Sequence, residues 1–204
     1  MLRAMAFDLL ISGAGPAGLC LARALSGNGM TIGLVDQLPQ AALADPPFDG
    51  REIALTQRSA QTLRELGLWQ RIEAFDAAAL SPLRDARVLN GGSPAAMVIG
   101  HGLTASSELG WLVSNHLIRR AAFDAVQAAA TEHGDITLLT GQAITSVRCE
   151  DDAARVTLAD GSRHEARLLV AADSRFSATR RAVGIGASQH DFGRTMLVCQ
   201  MTLA

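Results

Sequence analysis

Apolar residues in the first part of the chain fall into two short blocks separated by a stretch with helical spacing. Phe7 to Ile11 is apolar except for Asp8 and reads as a buried strand. Ala17 to Leu25 reads as a helix, and Thr31 to Val35 is a second buried strand that runs into Asp36. Between the first strand and the helix stand Gly13, Gly15 and Gly18. A tight turn needs Gly13, a close-lying pyrophosphate needs Gly15 without a side chain, and Gly18 lets the helix approach the sheet. The helix opens at Ala17 with free N–H groups and a positive dipole end, both suited to phosphate. Asp36 lies about where a ribose-binding acid is expected, roughly 20 residues beyond the glycines. This order predicts a βαβ unit that binds an adenine dinucleotide.

Farther along, residues 37–52 carry three prolines, a glycine and many small residues, and read as a loop over the nucleotide site. Ser59 is the expected N-cap of the next helix, which Leu63, Leu66 and Gly67 end before Trp69 starts a second. Ser81 and Pro82 mark a break. Arg87 to Asn90 and Ala95 to Ile99 read as short strands around an Asn-Gly-Gly turn. A long helix is expected from Asn115 to Glu132, with Leu117, Ala121, Val126 and Ala129 as its apolar stripe and Gly134 closing it. Strands follow at Ile136 to Leu139, Ala143 to Arg148 and Arg155 to Leu158; after a turn at Ala159 to Gly161, Ala166 to Ala172 is an apolar strand ending at Asp173. The expected class is α/β: a Rossmann-like unit, an inserted piece, a long helix, a β-meander and a return strand.

Composition narrows the chemistry. A net charge of −2 gives no electrostatic case for nucleic acid, and no basic stripe interleaved with aromatics is present. No uninterrupted apolar run approaches the roughly 20 residues of a membrane span. Asp8, Gly13, Gly15 and Pro16 interrupt what would otherwise be the apolar core of a signal peptide. Cys20, Cys149 and Cys199 are odd in number and far apart, which fits a reducing cytosol. The five histidines lack metal-ligand spacing, and there is no Gly-x-Ser-x-Gly elbow, so metalloenzyme and hydrolase readings have no support.

A second motif carries a family resemblance. "AADSRFSATRRAVGI", from Ala171, resembles the GADGxxSxVRxxxGI segment of single-component flavin-dependent aromatic hydroxylases, with Asp173, Ser177, Arg180 and Gly184 on matching positions. Ser174 replaces the second residue of that motif, a glycine, and so weakens the expectation of a positive φ there. "DGREIALTQRSAQTLRELGLW" resembles the branch that hydroxylates the ring of ubiquinone precursors, and places Arg51 on the flavin-contacting arginine. "LVSNHLIRRAAFDAV" is similar to its long-helix segment, with Asn115 at a cofactor-facing polar position and Arg119 one turn on. "DFGRTMLVCQM" resembles the strand that opens the substrate domain.

The resemblance implies FAD, held by Gly13, Gly15, Ala17, Gly18, Asp36, Arg51, Asn115, Arg119 and Asp173. Bland alternatives accompany three of these: Arg51 as a solvated loop arginine, Asp173 as a turn residue, and Asn115 as a helix cap. Residues 1–80 and 112–187 are expected to form a discontinuous FAD-binding domain, and 81–111 with 188–204 the beginning of a β-sheet substrate domain. Members of the family run to about twice this length, so the chain resembles an N-terminal half. In the family, reduced FAD captures O2 as a C4a-hydroperoxide and transfers OH to an electron-rich phenol. The implied substrate is a polyprenylated phenol, with NAD(P)H as a possible electron donor and a cytoplasmic location, peripheral to the inner membrane or within a biosynthetic complex. No residue of this stretch is assigned a catalytic role. The competing readings are an NAD-dependent Rossmann dehydrogenase and an inactive FAD-binding fragment; the absence of tyrosine leaves the dehydrogenase without a Tyr-based site.

Overall fold

The computed structural model describes residues 5–103, 106–195 and 197, which divide into two compact units, 5–47 with 122–197 and 48–121. The first unit opens with β1 (Met5–Ser12), α1 (Pro16–Leu25), β2 (Ile32–Asp36) and the short α2 (Gln40–Ala44). The second contains β3 (Glu52–Thr56), α3 (Gln57–Glu65), α4 (Leu68–Phe75), β4 (Leu80–Leu83), β5 (Asp85–Leu89), β6 (Ala96–Gly100) and β7 (Gly110–Ser114). Helix α5 (Asn115–His133) starts in the second unit and carries the chain back to the first. There follow β8 (Ile136–Thr140), β9 (Ile144–Cys149), β10 (Ala154–Leu158), β11 (Arg163–Ala171) and α6 (Ala178–Ala182).

In the first unit one sheet runs in the order β8-β2-β1-β11-β10-β9. The first four strands are mutually parallel, and β10 and β9 add an antiparallel edge. Strands covered on both faces must be apolar on both, which is why β2 is buried from Ile32 to Val35. Phe7, Leu10, Val35, Val156, Leu158 and Ala166 form the core cluster of this layer. Asp135, just before β8, accepts hydrogen bonds from Ser26 Oγ at 2.8 Å and Gly27 N–H at 2.6 Å, tying down the end of α1. The expected βαβ unit, long helix, meander and return strand are all present.

The second unit contains a three-stranded antiparallel sheet, β3-β7-β4, and the hairpin β5-β6. Its helices bury Leu63, Leu68, Trp69 and Ile72; Trp69 meets Trp111 edge to face at 5.1 Å, with Arg64 over the Trp69 ring.

Several local expectations are corrected here. Thr56, not Ser59, caps α3, and its Oγ1 accepts from Ser59 N–H at 3.1 Å. The stretch expected to be a loop contains α2 and leads into β3. Ser81 and Pro82 lie in β4, an edge strand, where a proline without an N–H is tolerated. Strands β3 and β7 were not foreseen. Of the DFGRTMLVCQM stretch expected to open the substrate domain as a strand, residues 191–195 and 197 are described and are not in a strand; the others lie outside the described residues.

Candidate nucleotide-binding site

The three glycines of the first turn have different surroundings. Gly13 has φ +107°, and a Cβ there would stand 2.6 Å from the carbonyl oxygen of Ala172 and 2.9 Å from the nitrogen of Asp173. At Gly18 a Cβ would stand 1.9 Å from the Gly13 carbonyl oxygen, so α1 is drawn against the turn. At Gly15 a Cβ would meet nothing within 4 Å. The chain thus explains Gly13 and Gly18 by its own packing and leaves open space beside Gly15. Pro16 starts α1, no side chain caps it, and the N–H groups of Ala17 and Gly18 have no intrahelical partner.

Asp36 ends β2 at this edge. Its Oδ2 accepts from Ala14 N–H at 2.7 Å and its Oδ1 from Leu38 N–H at 2.8 Å. The carboxylate therefore braces the glycine turn, and each oxygen retains a lone pair for a further donor.

Asp173 follows β11, whose end runs beside that of β1, with Ser12 opposite Ala171. Its Oδ2 accepts from Thr179 N–H at 3.0 Å, while its buried Oδ1 has no hydrogen-bond partner. Burial pushes this carboxyl up, and hydrogen bonds from Ser177 and Thr179 outweigh it and hold it below the usual range. Ser174 adopts φ +90° despite being a serine, so the glycine-type backbone of the motif is kept without the glycine.

In the second unit, Arg51 and Asn115 meet on one carboxylate that sequence reasoning passed over. Asp49 accepts from Arg51 Nε at 2.9 Å and Nη2 at 2.6 Å, and from Asn115 Nδ2 at 2.7 Å. Burial raises the Asp49 carboxyl, but these bonds prevail and bring it down to about 2. Asn115 is buried and also donates its backbone N–H to the Arg51 carbonyl at 2.9 Å, so side chain and backbone both tie it to the segment that carries Asp49 and Arg51. The Arg51 side chain is 62% exposed, leaving the guanidinium a free face. Arg119, one turn on, is half-buried and makes no hydrogen bond or ion pair to a described residue. The signal for Asp49 was its place two residues before Arg51.

Gly13, Gly15, Ala17, Gly18, Asp36 and Asp173 thus gather at the carboxyl edge of the first unit's parallel strands, where open α/β sheets bind ligands. Open space beside an uncapped helix start suits a pyrophosphate. The donor set fits a dinucleotide such as FAD.

Comparison with known proteins agrees. The chain is 44% identical over 198 residues to ubiquinone hydroxylase UbiM of Neisseria meningitidis serogroup C, covering 95% of this chain and 41% of that one. It is 34% identical over 194 residues to ubiquinone hydroxylase UbiL of Rhodospirillum rubrum, covering 94% and 42%. The chain therefore spans about two fifths of the length of these curated relatives. In fold it is similar to a crystal structure of PqsL from P. aeruginosa, with TM-score 0.73 and 19% identity over 92% of this chain and 48% of that one. Residues 6–203 match the family described as FAD binding domain, and the chain belongs to that family.

Proposed function

We propose that this chain is the FAD-binding portion of a flavin-dependent monooxygenase that hydroxylates the aromatic ring of a polyprenylated ubiquinone precursor. The observation that carries this reading is the uncapped start of α1 beside Gly15, where the fold leaves room that its own packing does not use. The 44% identity to a ubiquinone hydroxylase supports the substrate class.

In this reading Ala17 and Gly18 donate backbone N–H groups to the pyrophosphate, and Gly15 lets it approach. Asp36 accepts from ribose hydroxyls while still bracing the turn, and Asp173 accepts from a sugar hydroxyl. Arg51, oriented by Asp49, holds the flavin edge or a phosphate with its exposed face. We assign Asn115 and Arg119, in the first turns of α5, to cofactor binding as well. Bound FAD supplies the oxygen-transfer chemistry, with O2 as oxidant and NAD(P)H as electron donor. The chain's own contribution is binding, orientation and exclusion of water.

We assign 1–80 and 112–187 to the FAD-binding domain, and 81–111 with 188–204 to the beginning of a substrate domain. No helix among the described residues is long and apolar enough to cross a membrane. Delivery of a prenylated substrate fits peripheral association with the inner membrane or a biosynthetic complex.

The test is product analysis of the gene product containing these residues, supplied with FAD, NAD(P)H, 18O2 and a prenylated phenol. Ring-hydroxylated product carrying 18O is expected; reductant consumption that yields only peroxide would overturn the assignment.

A further inference from the structure

Arg64 and Trp69 stand on either side of the turn that joins α3 to α4. Gly67, at φ +76°, makes that turn and donates its N–H to the Arg64 carbonyl at 3.0 Å. The arginine folds back over the indole: its guanidinium carbon lies 4.1 Å from the centre of the Trp69 ring and 5.9 Å from that of Trp111, which β7 supplies. One helical turn beyond Trp69, Glu73 Oε1 accepts from the indole Nε1 at 2.9 Å. That carboxylate is committed to the indole and makes no ion pair with Arg64.

Arg64 is half-buried, and its guanidinium makes no hydrogen bond or ion pair to a described residue. The ring faces stabilise its charge, yet they accept none of its five N–H groups in the plane. Beside it the second unit leaves a recess of about 530 Å³, lined also by Gln70 and Leu80. That volume lies within the roughly 300–1,000 Å³ of small-ligand sites. Donors without acceptors, flat aromatic walls and room for a ligand therefore coincide. None of these residues is among those assigned to FAD.

We propose that this recess binds a small aromatic carboxylate. The carboxylate takes two parallel N–H bonds from Arg64, a match of planar groups, and the ring lies against Trp111 and Leu80. A phosphate fits the guanidinium but has no flat face for the walls, and its second negative charge meets Glu73. An aromatic amine meets the guanidinium with a like charge.

Trp69 and Trp111 are the two tryptophans of the chain, which has no tyrosine, so intrinsic emission reads this recess alone. The experiment follows that emission while wild type, Arg64→Lys and Glu73→Gln are titrated with benzoate, and wild type also with inorganic phosphate and with benzylamine. Benzoate should give a saturable change in the wild-type chain. Phosphate should bind about tenfold more weakly, and benzylamine should not bind. Arg64→Lys keeps a cation over Trp69 but loses the planar fork, and should bind benzoate about tenfold more weakly. Glu73→Gln keeps an acceptor for the indole N–H and removes a negative charge, so benzoate should bind about twofold more tightly. Thermal melts establish that each variant is folded, and the comparison of the three ligands on wild type decides the matter if one is not. The proposal is overturned by no saturable response to benzoate, or by phosphate or benzylamine binding as tightly as benzoate. Equal benzoate affinity in wild type and folded Arg64→Lys, or weaker binding by folded Glu73→Gln, overturns it as well.

Discussion

Substitution at Gly15 separates what the fold needs from what the ligand needs. Its backbone has φ −75° and ψ 177°, which any L-residue adopts, and an added Cβ meets nothing within 4 Å. Gly15→Ala should therefore leave the ligand-free chain folded with a melting temperature close to that of the wild type, the lost freedom of the unfolded state being offset by alanine's poorer fit at an N-cap. The same methyl group occupies the space assigned to the pyrophosphate. Displacing the phosphates from one or two charge-assisted N–H contacts costs about 2–4 kcal/mol, a fall in FAD affinity of roughly thirtyfold to a thousandfold. Gly15→Val should bind still less. Thermal melts without ligand and flavin-fluorescence titrations on the same preparations measure both effects. A variant that melts at or above the wild-type temperature and binds FAD as tightly as wild type would refute the pyrophosphate placement.

Gly18→Ala should behave oppositely: its Cβ would lie 1.9 Å from the Gly13 carbonyl, so α1 must shift, at about 3 kcal/mol and a melting temperature roughly 6–12 °C lower. An unchanged melt would contradict the close approach. His164 in β11 is buried with Nδ1 unpartnered, and burial lowers its pKa against the opposing pull of Asp160. With the folded pKa below the unfolded value near 6.5, His164 is neutral in both states above that pH. Stability should fall as the pH drops through 6.5 toward the folded pKa, by at most about 1.4 kcal/mol per pH unit. Denaturant midpoints at pH 7.5 and 5.5 check this; an identical acid loss in His164→Gln would remove the histidine as its source. Asp49→Ala should free Arg51 and Asn115 together and weaken FAD binding about tenfold, by loss of hydrogen bonds to a charged group. Unaltered affinity would detach this cluster from the cofactor.

The parts of the fold legible in the sequence were those whose signal is local. β1, α1 and β2 are recognisable because strands covered on both faces are continuously apolar and the glycines between them leave few alternatives. The β3-β7-β4 sheet was not, because its pairing is remote: Glu52 lies opposite Ser114, and neither strand is a continuous buried run. Pro82 read as a break because its tolerance depends on an edge position that only the sheet order reveals. At the candidate site, the close packing at Gly13 and Gly18 agrees with what their spacing predicts, and Gly15 faces open space. The bracing of the turn by Asp36, the joining of Arg51 to Asn115 through Asp49, and the φ of +90° at Ser174 depend on hydrogen bonds and backbone angles that residue types do not specify.

The central claim is that the edge formed by the glycine turn, Asp36 and Asp173 binds FAD. Equilibrium titration of the chain with FAD, and separately with NAD+, tests it most directly. The account predicts saturable FAD binding at one site per chain, displaced by ADP and abolished by Gly15→Val, with NAD+ binding far more weakly. Saturable NAD+ binding with no detectable affinity for FAD would contradict it.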